Sequence, residues 1–296
     1  MNKKKSNTFE QRKNRAATVL LSLLLVTAAL FAVLCLSGCS KNQESIEGFN
    51  PDLSDLEGKT IGVVKAKGAD YLLSEYDNLD ILRYDALSNL VIGLRYGQID
   101  VAVTDCASAN YVLRSTEGLK ISETPVCDDS LAYLGNTLYS REILEELDEW
   151  IENEWNGSEE QADLIKRMND KDGYVPKLPD VPEGGKVIDI MYDGAGYPFE
   201  YIDTDEKAKG IELEPLCYFA AEKGYTINWI EGEENSMLAS SGNGDALLLL
   251  LGDTEVFRRD VKKRGEPFRF SKAYLPCGLV TIQVEDRSKM KVINTI

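Results

Sequence analysis

Two apolar runs end on residues suited to ligand chemistry. "IDVAVTD" stops at the carboxylate Asp105, and "DALLLLLG" stops at Gly252, which Asp253 and Thr254 follow. In open α/β sheets ligands sit outside the carboxyl ends of the strands, so both ends would face a cleft. Asp105 has a competing use as the N-cap of the helix after it, because aspartate is a favoured cap. The chain has no histidine. That removes Ser-His-Asp and Cys-His catalysis and the commonest zinc ligand. Carboxylate chemistry and binding remain open, but no convincing acid/base pair stands out. Neither an enzyme, a cofactor nor a metal site is expected. Cys106, Cys127, Cys217 and Cys277 have no metal-motif spacing. In an exported chain they can pair as disulfides, with a connectivity that spacing does not give. Four buried thiols are the equal alternative.

These residues must be held by alternating strands and helices. Strands are expected over 59–65, 79–84, 99–105, 119–126 and 130–136, with helices over 69–76, 86–97 and 107–115 between them. Helices follow over 140–155 and 158–169; Ser140 is expected to cap the first with a reciprocal glutamate, and Ser158 starts the second. A linker over 171–185 holds three prolines and three glycines. The grammar then repeats, with strands over 186–192, 225–231, 245–252 and 277–285 and helices over 212–224, 235–242 and 254–265. Strands separated by helices imply mostly parallel sheets flanked by helices, here in two α/β units with a cleft between them.

The N-terminus is basic and then apolar from Ala16 to Leu36, as in a signal h-region or a membrane helix. "LSGC", Leu36–Cys39, resembles the bacterial lipoprotein lipobox. That resemblance implies cleavage before Cys39 and its lipidation; the alternative is an uncleaved signal anchor. Either way the basic end stays inside and the remainder lies on the extracytoplasmic face. The formal charge is −17, and the first 38 residues hold six Lys/Arg and one acid, leaving −22 beyond them. So acidic a surface repels phosphate backbones, and nucleic acid is not an expected partner.

The second half resembles the first lobe of extracellular solute-binding proteins of family 3, the polar amino-acid type with the type II periplasmic binding fold. "YDGAGYPFEYID", "KGIELEPLCYFAAEKGYTINWI", "GDTEVFRRD" and "FRFSKAYL" carry the likeness. The first half resembles the second lobe through "LEGKTIGVVKAKG", "LRYGQIDVAVTD" and "LYSREILEELDEWIENEW". The expected layout is a lipoprotein signal peptide over 1–38, a tether over 39–54 and a second-lobe-like unit over 55–135. Closing helices over 136–170, the linker, a first-lobe-like unit over 186–286 and a tail over 287–296 complete it. The lobes thus stand in reversed order, as in a circular permutation; two half-modules of a longer fusion are the alternative.

The resemblance implies a clamp for a free amino acid. Arg259 would take its carboxylate as a bidentate pair, with backbone groups at Gly252 and Thr254 assisting. Asp105 would take the ammonium from the other lobe. Asp193 would help with a polar side chain, and Lys67 and Gly68 would present a turn and helix start to the carboxylate. Gly196 stands where the family has an aromatic, with Tyr197 one place late, and Glu233, Glu234 and Val256 also depart from the pattern. Acids in the pocket would favour a cationic amino acid; the alternative is a site that has drifted and binds no amino acid. By resemblance the chain delivers its ligand to an ABC permease. A sensor or interaction module on the same fold is the rival function.

Overall fold

The computed structural model describes residues 51–136, 140–170, 173–192, 194–232, 248–251 and 268–289, all within one compact unit. The expected signal segment, Cys39, most of the tether, the helices at 235–242 and 254–265 and the end of the tail lie outside the described residues. No helix among the described residues is long and apolar enough to cross a membrane.

The first half runs β1 (Thr60–Val64), α1 (Gly68–Leu73), β2 (Asp80–Tyr84), α2 (Leu87–Tyr96), β3 (Val101–Asp105), α3 (Cys106–Ser115), β4 (Leu119–Ile121) and β5 (Ser130–Asn136). α4 (Arg141–Trp150) passes into a wider π-helical turn (Ile151–Trp155), and α5 (Glu159–Met168) follows. The second half runs β6 (Lys186–Tyr192), β7 (Ala195–Gly196), β8 (Glu200–Ile202), β9 (Ala208–Lys209), α6 (Leu213–Lys223) and β10 (Tyr225–Glu231). It ends with β11 (Leu248–Leu251), β12 (Phe268–Phe270), β13 (Leu275–Pro276) and β14 (Leu279–Val284).

Local chemistry explains most of these boundaries. Gly97 (φ 70°) and Gly224 (φ 75°) end α2 and α6 in the left-handed conformation that glycine adopts without a Cβ penalty. The Ser158 side chain accepts from the Gln161 N–H and caps α5. Ser140 makes no such cap bond at α4: its backbone, at φ −102° and ψ 7°, is not in the extended conformation of an N-cap, and the third helical position is Ile143 rather than the expected glutamate. The strand expected over 119–126 ends at Ile121. Beyond it, Ser122 N–H donates to Thr281 O and Val126 N–H to Leu279 O, across the irregular stretch that contains Pro125.

The strands form two main sheets of one design. The first has the order β2–β1–β3–β14–β4 and the second β10–β6–β11–β5–β12. In each, three parallel strands are followed by an antiparallel one, β14 in the first and β5 in the second. Each antiparallel strand comes from the other half of the chain, so neither half completes its sheet alone. The sheets have separate cores. Leu90, Leu94, Ile99, Val112 and Ile282 pack the first; Tyr133, Trp150, Trp155, Phe219 and Tyr274 are among those that pack the second. A small antiparallel meander, β7–β8–β9, follows β6.

A buried ion pair fastens the linker. Glu214, fully buried on α6, receives Arg167 of α5 through both carboxylate oxygens, at 2.8 and 2.6 Å. The Tyr174 hydroxyl and the Lys177 N–H also donate to Glu214, and Arg167 donates to Val175 O at 2.7 Å. Residues 174–177 of the linker are thus tied to one helix from each half.

Candidate functional site

The ends of β1 and β3 converge on a cavity lined by Lys67, Gly68, Val103, Thr104, Asp105 and Leu279, among others. β1 and β3 are adjacent and parallel, so their carboxyl ends emerge side by side. The turn after β1 is shaped by Asp70, whose carboxylate accepts from the Ala66 N–H at 2.9 Å and from Arg83 Nε at 2.6 Å. That holds Ala66 at φ 58° and sets Lys67 at the start of the six-residue helix α1.

Asp105 takes the capping role weighed from the sequence and also lines the cavity. Its Oδ1 accepts from the Ser108 N–H at 2.7 Å, capping α3, and Thr104 Oγ1 donates to Oδ2 at 3.3 Å. The carboxylate also borders the cavity. Burial raises its carboxyl above the ordinary range, and the Ser108 bonds offset part of that rise. A cation docking there would reverse the burial cost, since an opposite charge favours the ionised acid. The cavity's volume is about 10 Å³, room for about one water. An amino acid would need further space beyond these residues.

Asp105, Lys67 and Gly68 therefore lie together. Tyr197 lies elsewhere: its ring is 4.8 Å from Tyr111 on α3 and 4.8 Å from Tyr201 on β8. Asp193, Gly252, Thr254 and Arg259 lie outside the described residues, as do Glu233, Glu234 and Val256. No cluster of metal-ligating side chains occurs among the described residues.

Sequence reasoning did not find the paired crossover between the sheets. Leu275 and Pro276 of β13 pair with Leu131 and Ser130 of β5. Cys277 N–H donates to Asp129 O at 2.8 Å, and Leu279 N–H to Cys127 O at 3.0 Å. Gly278 permits this approach: a Cβ there would come 2.7 Å from Cys127 O. Two neighbouring segments thus carry the chain between sheets. The crossover lies within one residue of the Asp105–Leu279 pair.

No protein-family model and no curated protein matches this chain. Among solved structures, it is similar to the periplasmic domain of BvgS from B. pertussis, at 13% identity and a TM-score of 0.38, over 81% of this chain and 41% of that one. It therefore spans less than half of the BvgS domain. It is also similar to a phosphate-binding protein of a phosphate ABC transporter from Streptococcus pneumoniae, at 6% identity and a TM-score of 0.40, over 77% and 89% of the two chains. A third is the probable amino-acid ABC transporter extracellular-binding protein YtmK from Bacillus subtilis, at 8% identity and a TM-score of 0.40, over 77% and 84%. At these TM-scores the likenesses carry no functional weight. The matched order of the two sheets shows two α/β units of one design.

Proposed function

We propose that the chain is an extracytoplasmic solute-binding protein that closes its two α/β lobes on a small polar ligand, an amino acid by the clamp that the sequence resemblance implies. The observation that carries this reading is the position of Asp105, Lys67 and Gly68. They meet at the carboxyl ends of β1 and β3, beside the crossover that joins two sheets of equal order. Ligand that touches both lobes stabilises the closed state over the open one. Arg259, Thr254 and Gly252 would hold the carboxylate, Asp105 the ammonium and Asp193 a polar side chain. Lipidation at Cys39 would anchor the chain to the membrane, and an ABC permease would receive the ligand. The reaction is capture and release, with no cofactor.

The exchanged strands β5 and β14 make the two sheets one module, and by the sequence resemblance that module is a circularly permuted one of family 3. Joining the module's usual ends through the linker is tolerable where those ends lie close together. One observation favours a sensor as the second reading. Tyr111, on a helix of the first sheet, packs against Tyr197 next to the second, a contact that can hold the lobes together without ligand.

A thermal-shift panel on residues 40–296 tests the proposal, using the twenty amino acids, ornithine and small polyamines. Ligand that binds only the folded state must stabilise it, by about 2.7 kcal/mol at a hundredfold excess over Kd. One or two amino acids should raise the melting temperature, and Asp105→Ala and Arg259→Ala should shrink the rise. A cooperative melt that no amino acid shifts would remove the amino-acid assignment.

A further inference from the structure

The crossover brings together two thiols 171 residues apart: Cys106 Sγ and Cys277 Sγ are 3.5 Å from each other. Their backbones are already in register. Asp105 pairs with Leu279 in the β3–β14 ladder, and the next residue, Cys106, donates its N–H to Gly278 O at 2.9 Å. Cys277 is itself pinned to Asp129 O. A disulfide needs the sulfurs about 2.0 Å apart, so side-chain rotation and a small shift suffice where the main chains are held side by side.

The two thiols are unequal in ways that suit exchange. Cys106 is the first residue of α3 and partly exposed, whereas Cys277 is 2% exposed. The contact with Cys277 draws the Cys106 thiol below its ordinary range, against burial and the Asp105 charge. The same contact and burial push Cys277 upward. Cys106 therefore ionises first, and Cys277 keeps the shared proton. Thiolate, not thiol, is the nucleophile, and access decides which sulfur reacts.

We propose that Cys106 and Cys277 form a reversible disulfide that staples the interlobe crossover to the start of α3, next to Asp105. The oxidant is an external disulfide, RSSR. Cys106 thiolate attacks one sulfur of RSSR, forms a mixed disulfide and releases RS⁻. Cys277 then attacks Cys106 Sγ, its proton passing to the second leaving thiolate. The sum is two protein thiols and RSSR giving one protein disulfide and two RSH, so the protein loses two electrons and RSSR gains them. This assignment does not depend on which ligand the cleft takes. It gives Cys106 and Cys277 a use that spacing could not supply.

The test equilibrates the full chain with mixtures of reduced and oxidised glutathione. Samples are quenched in acid, unfolded, alkylated and mapped by peptide mass. Cys106 and Cys277 should lose alkylation together, as one linked pair lighter by two hydrogens, and the oxidised protein should melt higher. Cys277→Ser should trap glutathione on Cys106, while Cys106→Ser should leave Cys277 alkylatable. If both thiols of the folded wild-type chain stay alkylatable in the most oxidising mixture, or if the link joins Cys127 or Cys217 instead, the proposal fails. The wild-type map decides this even where a variant folds poorly.

Discussion

Replacing Glu214 by Gln should remove a large part of the fold's stability, although the side chain keeps its size. The carboxylate is fully buried and takes both ends of the Arg167 guanidinium, the Tyr174 hydroxyl and the Lys177 N–H. A glutamine amide turns one acceptor into a donor aimed at other donors and leaves Arg167 with a buried charge. Removing one partner of a buried pair costs about 3–5 kcal/mol. Arg167 retains Asp163 at 2.8 Å, which places the expected loss near the lower end, about 3 kcal/mol. Against a typical total of about 5–15 kcal/mol, that is a large fraction. Urea unfolding followed by tryptophan fluorescence reads it, because Trp150 and Trp155 lie in the same core. Asp163→Asn is the control: Asp163 is 39% exposed, and a pair with that exposure is worth about 1 kcal/mol or less. The triple variant Arg167→Met/Tyr174→Phe/Glu214→Leu, which also removes the Tyr174 hydroxyl, should recover part of the loss, since apolar replacement of a whole buried pair is often neutral. A loss below about 1 kcal/mol for Glu214→Gln would refute the reasoning, because it would mean that Arg167 finds solvent or another partner.

Other expectations follow from named contacts. Asp105→Ala should cost about 1 kcal/mol through the lost cap, and Asp105→Asn should not, because asparagine caps as well. Burial raises the Asp105 carboxyl, so its contribution is fully present below the ordinary value of 3.8 and is lost as pH rises through the folded value. The stability of Asp105→Asn relative to wild type should accordingly increase across that window in parallel denaturation curves. Tyr201 and Tyr225 are both pushed up to about 12, foremost by burial, and burial also pushes Tyr174 up. Their contributions are present below the ordinary value of 10.0 and are lost as pH rises above it, so melting temperature should fall in alkali; an alkaline titration by absorbance and melting checks this. Gly278→Ala forces a Cβ to 2.7 Å from Cys127 O and should cost about 1–3 kcal/mol, as overpacking does, measured by urea unfolding.

Local chemistry was legible wherever one segment carried its own pattern. The apolar runs at 130–136, 186–192 and 225–231 form strands with those same limits. Gly97 and Gly224 stop their helices as glycines past a periodic run should. The meeting of Asp105 with Lys67–Gly68 was not in either segment's own pattern: β1 and β3 lie side by side in the sheet although α1, β2 and α2 separate them in the chain. What escaped was long-range. Nothing within 130–136 says that β5 joins a sheet whose other strands begin at Lys186, and nothing within 279–284 says that β14 returns to the first. Period-2 alternation reports a strand, not its partner. The β7–β8–β9 meander escaped because two- and three-residue strands are too short to show a period. The Glu214 network was also invisible: a charged residue in "ELEPLC" reads as solvated until Arg167 and Tyr174 are brought to it. Tyr197 packs with Tyr111 and Tyr201, a grouping that only the meander and α3 together create.

The central claim is that two lobes built of exchanged strands close on one small polar molecule through Asp105. Calorimetric titration of the amino acid giving the largest thermal shift, into wild type and Asp105→Ala, tests it most directly. The account predicts one ligand per chain and a loss of about 1.5–3 kcal/mol in the variant, the value of a hydrogen bond to a charged group, or roughly ten- to a hundredfold in Kd. Absence of binding heat for every amino acid, or equal affinity in the two proteins, would contradict it.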